Sequence, residues 1–339
     1  MAMVTGLGPG SDGHATDRRR RVHSAVRFVG APGPSRLATT EVLRASVRFA
    51  QHCERAGVDA AFVAPGAGAD AFVLLGGAAA VTTSLVLGYL GAPDDQRPPA
   101  LLAKHATALD VCCSGRAVLG IAAPSIVGAG REEATPDGAP DGDALGDAVE
   151  ICRAMLHVPG PSYQGPRHSV QSAWNEPRVA SVEPMPLALV VAAASDLSDP
   201  GVELASPPSS AQPGSGPSAH RRRVSRRPVV LAARFAELCA VGPIGLETAR
   251  LETTAAVVSA RSSLDAQSLA AGRERGAVRL LAIVAAGPAD RQLASAAALY
   301  DAGVDGVVAD LAVDCLAGDE AAGFVELFGA LAARRASED

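Results

Sequence analysis

Residues Pro99–Ala123 read "PALLAKHATALDVCCSGRAVLGIAA". The first half places apolar residues at helical spacing, and Ser114-Gly115 interrupts it. The second half, "AVLGIAA", is a continuous apolar run, too short for a helix and without polar alternation. A strand of that kind has both faces covered, as in a parallel sheet flanked by helices. The stretch is therefore one helix–turn–strand joint of an α/β protein. What decides the fold is how often the joint recurs.

It recurs along the whole chain. "VHSAVRFVG" from Val22 reads as a first strand, and "TTEVLRASVRFAQHCERAG" as a helix that Gly57 stops. "AAFVAP", "SLVLGYLG", "AVLGIAA", "LALVVAAA", "LCAVG", "RLLAIVAAG" and "GVVADLA" follow as strands. Helical segments separate them, among them "DALGDAVEICRAMLHV", "LETARLETTAAVVSARSSL" and "DEAAGFVELFGALAARRA". About eight such units in one chain favour a closed (β/α)8 TIM barrel over an open doubly wound sheet. An internal echo agrees: "ERAGVDAAFVAP" from Glu54 and "YDAGVDGVVADL" from Tyr300 share Ala-Gly-Val-Asp at a helix-to-strand joint.

The expected organisation is a tail over 1–21 and one barrel domain over 22–336. Two segments break the alternation. Gly160–Pro184 is an excursion before the fifth strand, carrying Tyr163, His168 and Trp174. Ala205–Pro228 is rich in Ser and Pro and ends in five arginines, which reads as a disordered insertion after that strand.

Bulk properties narrow the function classes. The net charge of −6 argues against general nucleic-acid binding, and no apolar run is long enough for a membrane span. The N-terminal arginines lack an apolar segment after them, so the expected location is cytoplasmic. None of the six cysteines forms a CxxC pair, which favours buried reduced thiols over zinc or disulfides, and no metal is expected.

In a barrel of this type the chemistry sits at the carboxyl ends of the strands. Those ends, including Ala64–Asp70, Tyr89–Arg97, Ala122–Glu133, Ala192–Asp199 and Ala309–Asp314, are small and rich in Gly and Ala. They show no His cluster, P-loop or nucleophile motif, and no catalytic residue can be named. A mouth lined by small residues suits a large flat cofactor that carries the chemistry itself. Tyr89 could stand over such a ligand or be a core tyrosine. Ser195 could hold a phosphate or cap a turn. His168 and Trp174 could cover the barrel mouth and contact substrate, or pin the excursion down. Asp94-Asp95 reads as a solvated turn and His105 as a packing or surface residue.

The opening stretch, with its Leu109-Asp110 pair and Ser114-Gly115-Arg116 turn, resembles a segment of the bacterial luciferase-like monooxygenase family. "DAFVLLGGAAAVTTSLVLG", "FAQHCERAGVDAAFVA" and "DALGDAVEICRAMLHVPGPSYQGPRHSV" resemble other pieces in the same order. The resemblance covers most of Val22–Ala336 and implies a (β/α)8 barrel. It implies reduced FMN with dioxygen, supplied by a flavin reductase, acting on a small-molecule substrate, or a deazaflavin in a hydride-transfer branch. It also implies a homodimer. The cofactor-binding candidates are Tyr89, Gly91, Ala122, Ala194 and Ser195. Asp110 and Arg116 are expected to pair structurally. The chain departs from the family at Pro65-Gly66, Ala122-Ala123-Pro124 and Ala193-Ala194-Ser195, where polar or glycine residues are usual. Those departures keep open a non-catalytic barrel acting as a binding or partner subunit.

Overall fold

The computed structural model describes residues 21–29, 39–65, 70–91, 97–122, 141–177, 185–191, 228–242 and 254–337. The barrel strands are β1 (Ser24–Val29), β2 (Ala60–Val63), β3 (Val86–Gly91), β4 (Ala117–Ala122), β5 (Leu187–Val191), β6 (Leu238–Val241), β7 (Arg279–Val284) and β8 (Gly306–Ala312). The helices are α1 (Thr39–Arg55), α2 (Ala71–Ala79), α3 (Pro99–Cys112), α4 (Asp141–His157), α5 (Pro228–Phe235), α6 (Thr254–Ala270), α7 (Ala289–Asp301) and α8 (Asp319–Ala336). Each strand pairs in parallel with its neighbours, and β8 pairs with β1, so the sheet closes. The chain is a (β/α)8 TIM barrel. The sequence placed α6 at Leu246–Leu264. Its helix runs on to Ala270, because Val257, Ala260, Leu264 and Ser268 all face the core and Gly272, at φ 77°, ends it.

Side chains sort into two layers. Val26, Val63, Leu87, Leu119, Leu189 and their like face outward into the layer under the helices. Ala25, Phe62, Leu90, Val118, Val190, Leu281 and Val308 fill the barrel interior. Interior packing is large against small: a Cβ on Gly88 would come within 2.8 Å of the Phe62 ring, and one on Gly120 would collide with Leu90.

The strand beginnings share a device. Asp59, just before β2, accepts hydrogen bonds from Ser24 N (2.9 Å) and His23 N (3.0 Å) at the foot of β1. Glu237, just before β6, accepts from Leu187 N of β5 at 2.9 Å. Asp305, just before β8, accepts from Leu280 N of β7 at 2.6 Å. Arg116, just before β4, reaches the opposite group, donating to the carbonyl of Leu85 at the foot of β3. Each even strand thus starts with a polar side chain that ties down the odd strand before it. The Ala-Gly-Val-Asp echo is two copies of this device. Gly57 (φ 77°) and Gly303 (φ 83°) end their helices in left-handed geometry, and Val58 N and Val304 N bond back to Cys53 O and Leu299 O.

The expected pairing of Asp110 with Arg116 is corrected. Arg116 donates to Thr82 Oγ1 (3.2 Å) and Thr82 O (2.9 Å) as well as Leu85 O, while Asp110 Oδ1 accepts from Ala117 N at 3.2 Å. Ser114 and Gly115, both at positive φ, turn the chain so that the Arg116 side chain points across to β3 and away from its own helix.

The excursion forms a two-stranded hairpin, Tyr163–Gln164 with Ser169–Val170. Asp147 of α4 holds it: the fully buried carboxylate accepts from Tyr163 OH (2.7 Å), Arg167 N (2.7 Å) and His168 N (2.8 Å). Asn175 returns to Thr107 of α3 and Met155 of α4. The tail over 1–20 and the segment 205–227 lie outside the described residues. Among the described residues no helix is long and apolar enough to cross a membrane.

Candidate active site at the carboxyl ends of the strands

Following the register around the barrel, Arg27, Leu90, Val190 and Ile283 stand inward at one level. One level nearer the carboxyl ends come Ala64, Ala122, Gly242 and Asp310. Ala64 and Gly242 lie one residue past their strands and extend the ladders, through Ala64 N to Phe28 O (3.0 Å) and Gly242 N to Val191 O (3.1 Å). Large side chains therefore fill the barrel up to Leu90 and Ile283. The level above has nothing longer than a methyl group at three of its four positions. A Cβ at Gly242 would stand 2.8 Å from Ile283 O, so crowding by β7 also requires that glycine.

The fourth position is Asp310, only 2% exposed. Arg27, 0% exposed, meets its carboxylate side-on through Nε to Oδ1 and Nη2 to Oδ2, both 2.7 Å. Among the described residues Arg27 is the one side chain bonded to that carboxylate. Each oxygen so engaged keeps a second lone pair. Burial pushes the Asp310 pKa up, and the adjacent guanidinium pulls against it. Gln292 of α7 fixes the backbone here, its Nε2 donating to Asp310 O (2.9 Å) and Ala285 O (3.0 Å). The first strand, the last strand and the helix between β7 and β8 together hold one charged group at the top of an apolar cylinder.

The sequence candidates fall in different places. Ala122 stands on this upper level, beside Asp310. Gly91 ends β3, and a side chain there would collide with the Pro65 ring, so its missing Cβ admits Pro65. Tyr89 is 1% exposed and faces outward, in the layer under the helices. Its ring stacks on Phe72 of α2 at 5.4 Å and 14°. Phe72 also carries the Arg97 guanidinium at 5.6 Å and the His105 ring at 5.2 Å, and Arg97 pairs with Asp70, the N-cap of α2. His168 and Trp174 belong to the hairpin segment, whose described bonds run to α3 and α4, and Trp174 is 79% exposed. Ala194 and Ser195 lie outside the described residues.

Sequence reasoning nominated the segment containing Asp310 but did not single that residue out, and it passed over Arg27. The available signal was one charge in each of two otherwise apolar runs, "SAVRFV" and "GVVADLA".

Three positions of the upper level carry no side chain longer than a methyl group, the fourth carries a carboxylate, and all four are buried.

Comparison with known proteins agrees with the fold. The sequence profile of the family described as luciferase-like monooxygenase matches residues 24–205. No curated protein sequence matches the chain. Among solved structures, the chain is similar to the monooxygenase RslO1 from Streptomyces bottropensis, with TM-score 0.62, 15% identity, and coverage of 91% of this chain and 98% of that one. It is similar to the oxygenating constituent of 3,6-diketocamphane monooxygenase from Pseudomonas putida in complex with FMN, with TM-score 0.61, 13% identity, and coverage of 91% and 96%. It is also similar to an F420-dependent secondary alcohol dehydrogenase in complex with an F420–acetone adduct, with TM-score 0.59, 10% identity, and coverage of 91% and 98%.

Proposed function

The chain belongs to the luciferase-like monooxygenase family, and from that premise we propose that it is a flavin-dependent monooxygenase using reduced FMN and dioxygen on a small organic substrate. The observation that carries this reading is the family match over residues 24–205, on a closed (β/α)8 barrel whose carboxyl end is lined by small residues at Ala64, Ala122 and Gly242. Reduced FMN, when bound, supplies the electrons that activate dioxygen.

The chain's own residues bind and shield. Leu90, Val190 and Ile283 close the barrel beneath the ring and keep water from reaching it from below. Gln292 and Arg27 hold the Asp310 backbone and side chain in place. Ser195, after β5, is the residue we assign to the cofactor phosphate, with Ala194 beside it. Tyr89 acts from behind the wall through its stack on Phe72, so its part is to brace β3 against α2.

The likeness to an F420-dependent dehydrogenase supports a second reading, a deazaflavin-dependent oxidoreductase. A separate flavin reductase as partner and a homodimer complete the proposal.

Anaerobic titration with reduced FMN and with F420 tests the reading. Saturable binding of FMN, followed by oxygen-dependent turnover with an added reductase, supports the monooxygenase. Saturable binding of F420 alone supports the second reading. No binding of either below about millimolar concentration overturns both and leaves the non-catalytic barrel.

A further inference from the structure

The corners after β2 and β3 are joined twice at the rim of the barrel. Where they leave the sheet, the Pro65 ring fills the space that Gly91 leaves by lacking a Cβ. Where they enter the helices, Arg97, two residues before α3, pairs with Asp70, the N-cap of α2. We propose that this second joint is a proton-operated strap, which ties the two corners together while His105 is neutral and lets go when His105 takes a proton. The inference concerns the rim alone and does not depend on the flavin reading.

Three observations carry it. First, the parts share one ring. Phe72 of α2 carries the Arg97 guanidinium at 5.6 Å, the His105 ring at 5.2 Å and the Tyr89 ring at 5.4 Å. Strap and imidazole therefore rest on one apolar surface, where charges are screened less than in water. Second, His105 has no ready place for an added proton. Its Nδ1 is enclosed, and among the described residues nothing bonds to it. An N–H there needs an acceptor. The carboxylate whose charge acts on His105 is Asp70, and Arg97 holds it.

Third, the surroundings oppose the charge. Burial and the Arg97 guanidinium lower the His105 pKa from its ordinary value near 6.5, and Asp70 pulls the other way. Among the described residues no further charge faces the ring. Helix α2 and strand β4 carry no titratable side chain, and β3 carries only Tyr89. Helix α4 meets α3 on its other side, through Cys152 Sγ to Pro99 O at 3.3 Å, and Asn175 reaches Thr107 there at 2.8 Å. Lys104, beside His105 on α3, turns to Glu176 O at 2.8 Å.

An arrangement that resists protonation is weakened by it. His105 titrates near 6.5 with the strap open and lower with it closed. The strap is therefore at full strength above 6.5 and loses strength as pH falls below that value. The imidazolium then competes with Arg97 for the Asp70 carboxylate, and Arg97 is released to solvent.

A cluster that only packs would keep the same contacts at every pH in this range. The test is amide exchange on the full-length protein at about pH 7.5 and about pH 5.5, expressed as protection factors to remove the intrinsic pH dependence of exchange. Protection over residues 71–75, the start of α2, is expected to fall by about threefold or more at the lower pH, while β3 and β4 keep theirs. His105→Gln should keep the higher protection at both pH values, and Arg97→Gln should show the lower protection at both. The His105 Cε1–H resonance, titrated by NMR, should have a higher midpoint in Arg97→Gln than in the unmodified protein, because the repelling cation is gone.

Equal protection at the two pH values in the unmodified protein overturns the strap. An undiminished pH dependence in His105→Gln also overturns it, since the proton is then taken up elsewhere. If His105→Gln does not fold, the resonance decides: a His105 midpoint unmoved by Arg97→Gln separates the imidazole from the strap and overturns the proposal. These outcomes leave the flavin titrations untouched, so the two readings fail separately.

Discussion

Arg27 and Asp310 lie 283 positions apart in sequence and meet through two parallel 2.7 Å bonds across the seam where β8 joins β1. The pair is wholly desolvated, so its value is asymmetric. Removing one partner strands a buried charge, whereas removing both removes the problem. Arg27→Met is expected to cost about 3–5 kcal/mol of folding stability, and Arg27→Met combined with Asp310→Asn to recover a large part of that loss. Urea unfolding of the two singles and the double, analysed as a mutant cycle, checks this. Additive losses would mean that the two side chains do not act as a unit.

Glu54 ends α1 with its carboxylate set against the Thr82–Leu85 turn, accepting from the backbone N–H groups of Thr83, Ser84 and Leu85 and from the Ser84 hydroxyl. Partial burial pushes its pKa up, but these donors outweigh that and hold it down to about 2. A pKa lowered in the folded state gives stability that is fully present above the unfolded carboxylate range, near 4.5, and is lost as pH falls toward about 2. Glu54→Gln should therefore cost about 1–2 kcal/mol at neutral pH, at the low end because solvent reaches the group. The gap between the two proteins should close between pH 4.5 and 2 in thermal melts. A gap that stays constant with pH would assign the stabilisation to the side chain's shape.

The architecture was legible because each strand is a continuous apolar run and helices such as α1 and α7 stop at a glycine, Gly57 or Gly303. The same property hid part of the site. A strand buried on both faces carries no alternation, so "VLGYLG" does not reveal that Tyr89 points outward while Gly88 and Leu90 point inward. Arg27 and Asp310 each look like a stray charge until the closing register sets them side by side. Asp110 and Arg116 are near in sequence, but nearness does not fix side-chain direction: two left-handed residues between them send Arg116 to β3. Ala122 was legible as a strand end, because that can be read from where an apolar run stops.

All six cysteines are among the described residues, and only Cys112 and Cys315 are exposed. Burial pushes the Cys53 thiol up strongly and raises those of Cys152 and Cys239 to about 12. The thiolate is the reactive form, so buried thiols are doubly protected. A disulfide reagent added to native protein should therefore react quickly at Cys112 and Cys315, with the remaining thiols released only on unfolding. Mass mapping of modified peptides identifies the sites. Rapid modification of Cys152 or Cys239 would contradict the packing of α4 or β6.

The hairpin hangs on one buried carboxylate. A Cβ on Gly165 would collide with Asp147, and Asp147 itself binds three groups of the hairpin. Gly165→Ala should detach the hairpin while the barrel stays intact. Amide exchange should accelerate by about tenfold or more over residues 163–170, with little change in β3 or β4. Acceleration spread through the strands would mean that the hairpin supports the barrel as a whole.

Gly120 tests the interior packing that sets the level of the site. An alanine methyl there would run into Leu90 Cδ1 and stand 2.8 Å from Tyr89 O. Leu90 is fully buried and cannot move outward, because the wall of β3 is paired on both sides. Gly120→Ala should therefore cost about 1–3 kcal/mol by overpacking. Leu90→Ala alone should also destabilise, by about 2–5 kcal/mol, through the cavity it leaves. Together the changes compensate, because the new methyl occupies part of that cavity, so the double variant should be more stable than the sum of the singles predicts. Denaturant midpoints for all three variants check the sign of that coupling. The rearrangement lies directly below Ala122 and Asp310, so FMN titration of the double variant reads whether the upper level holds its shape when the level beneath is repacked.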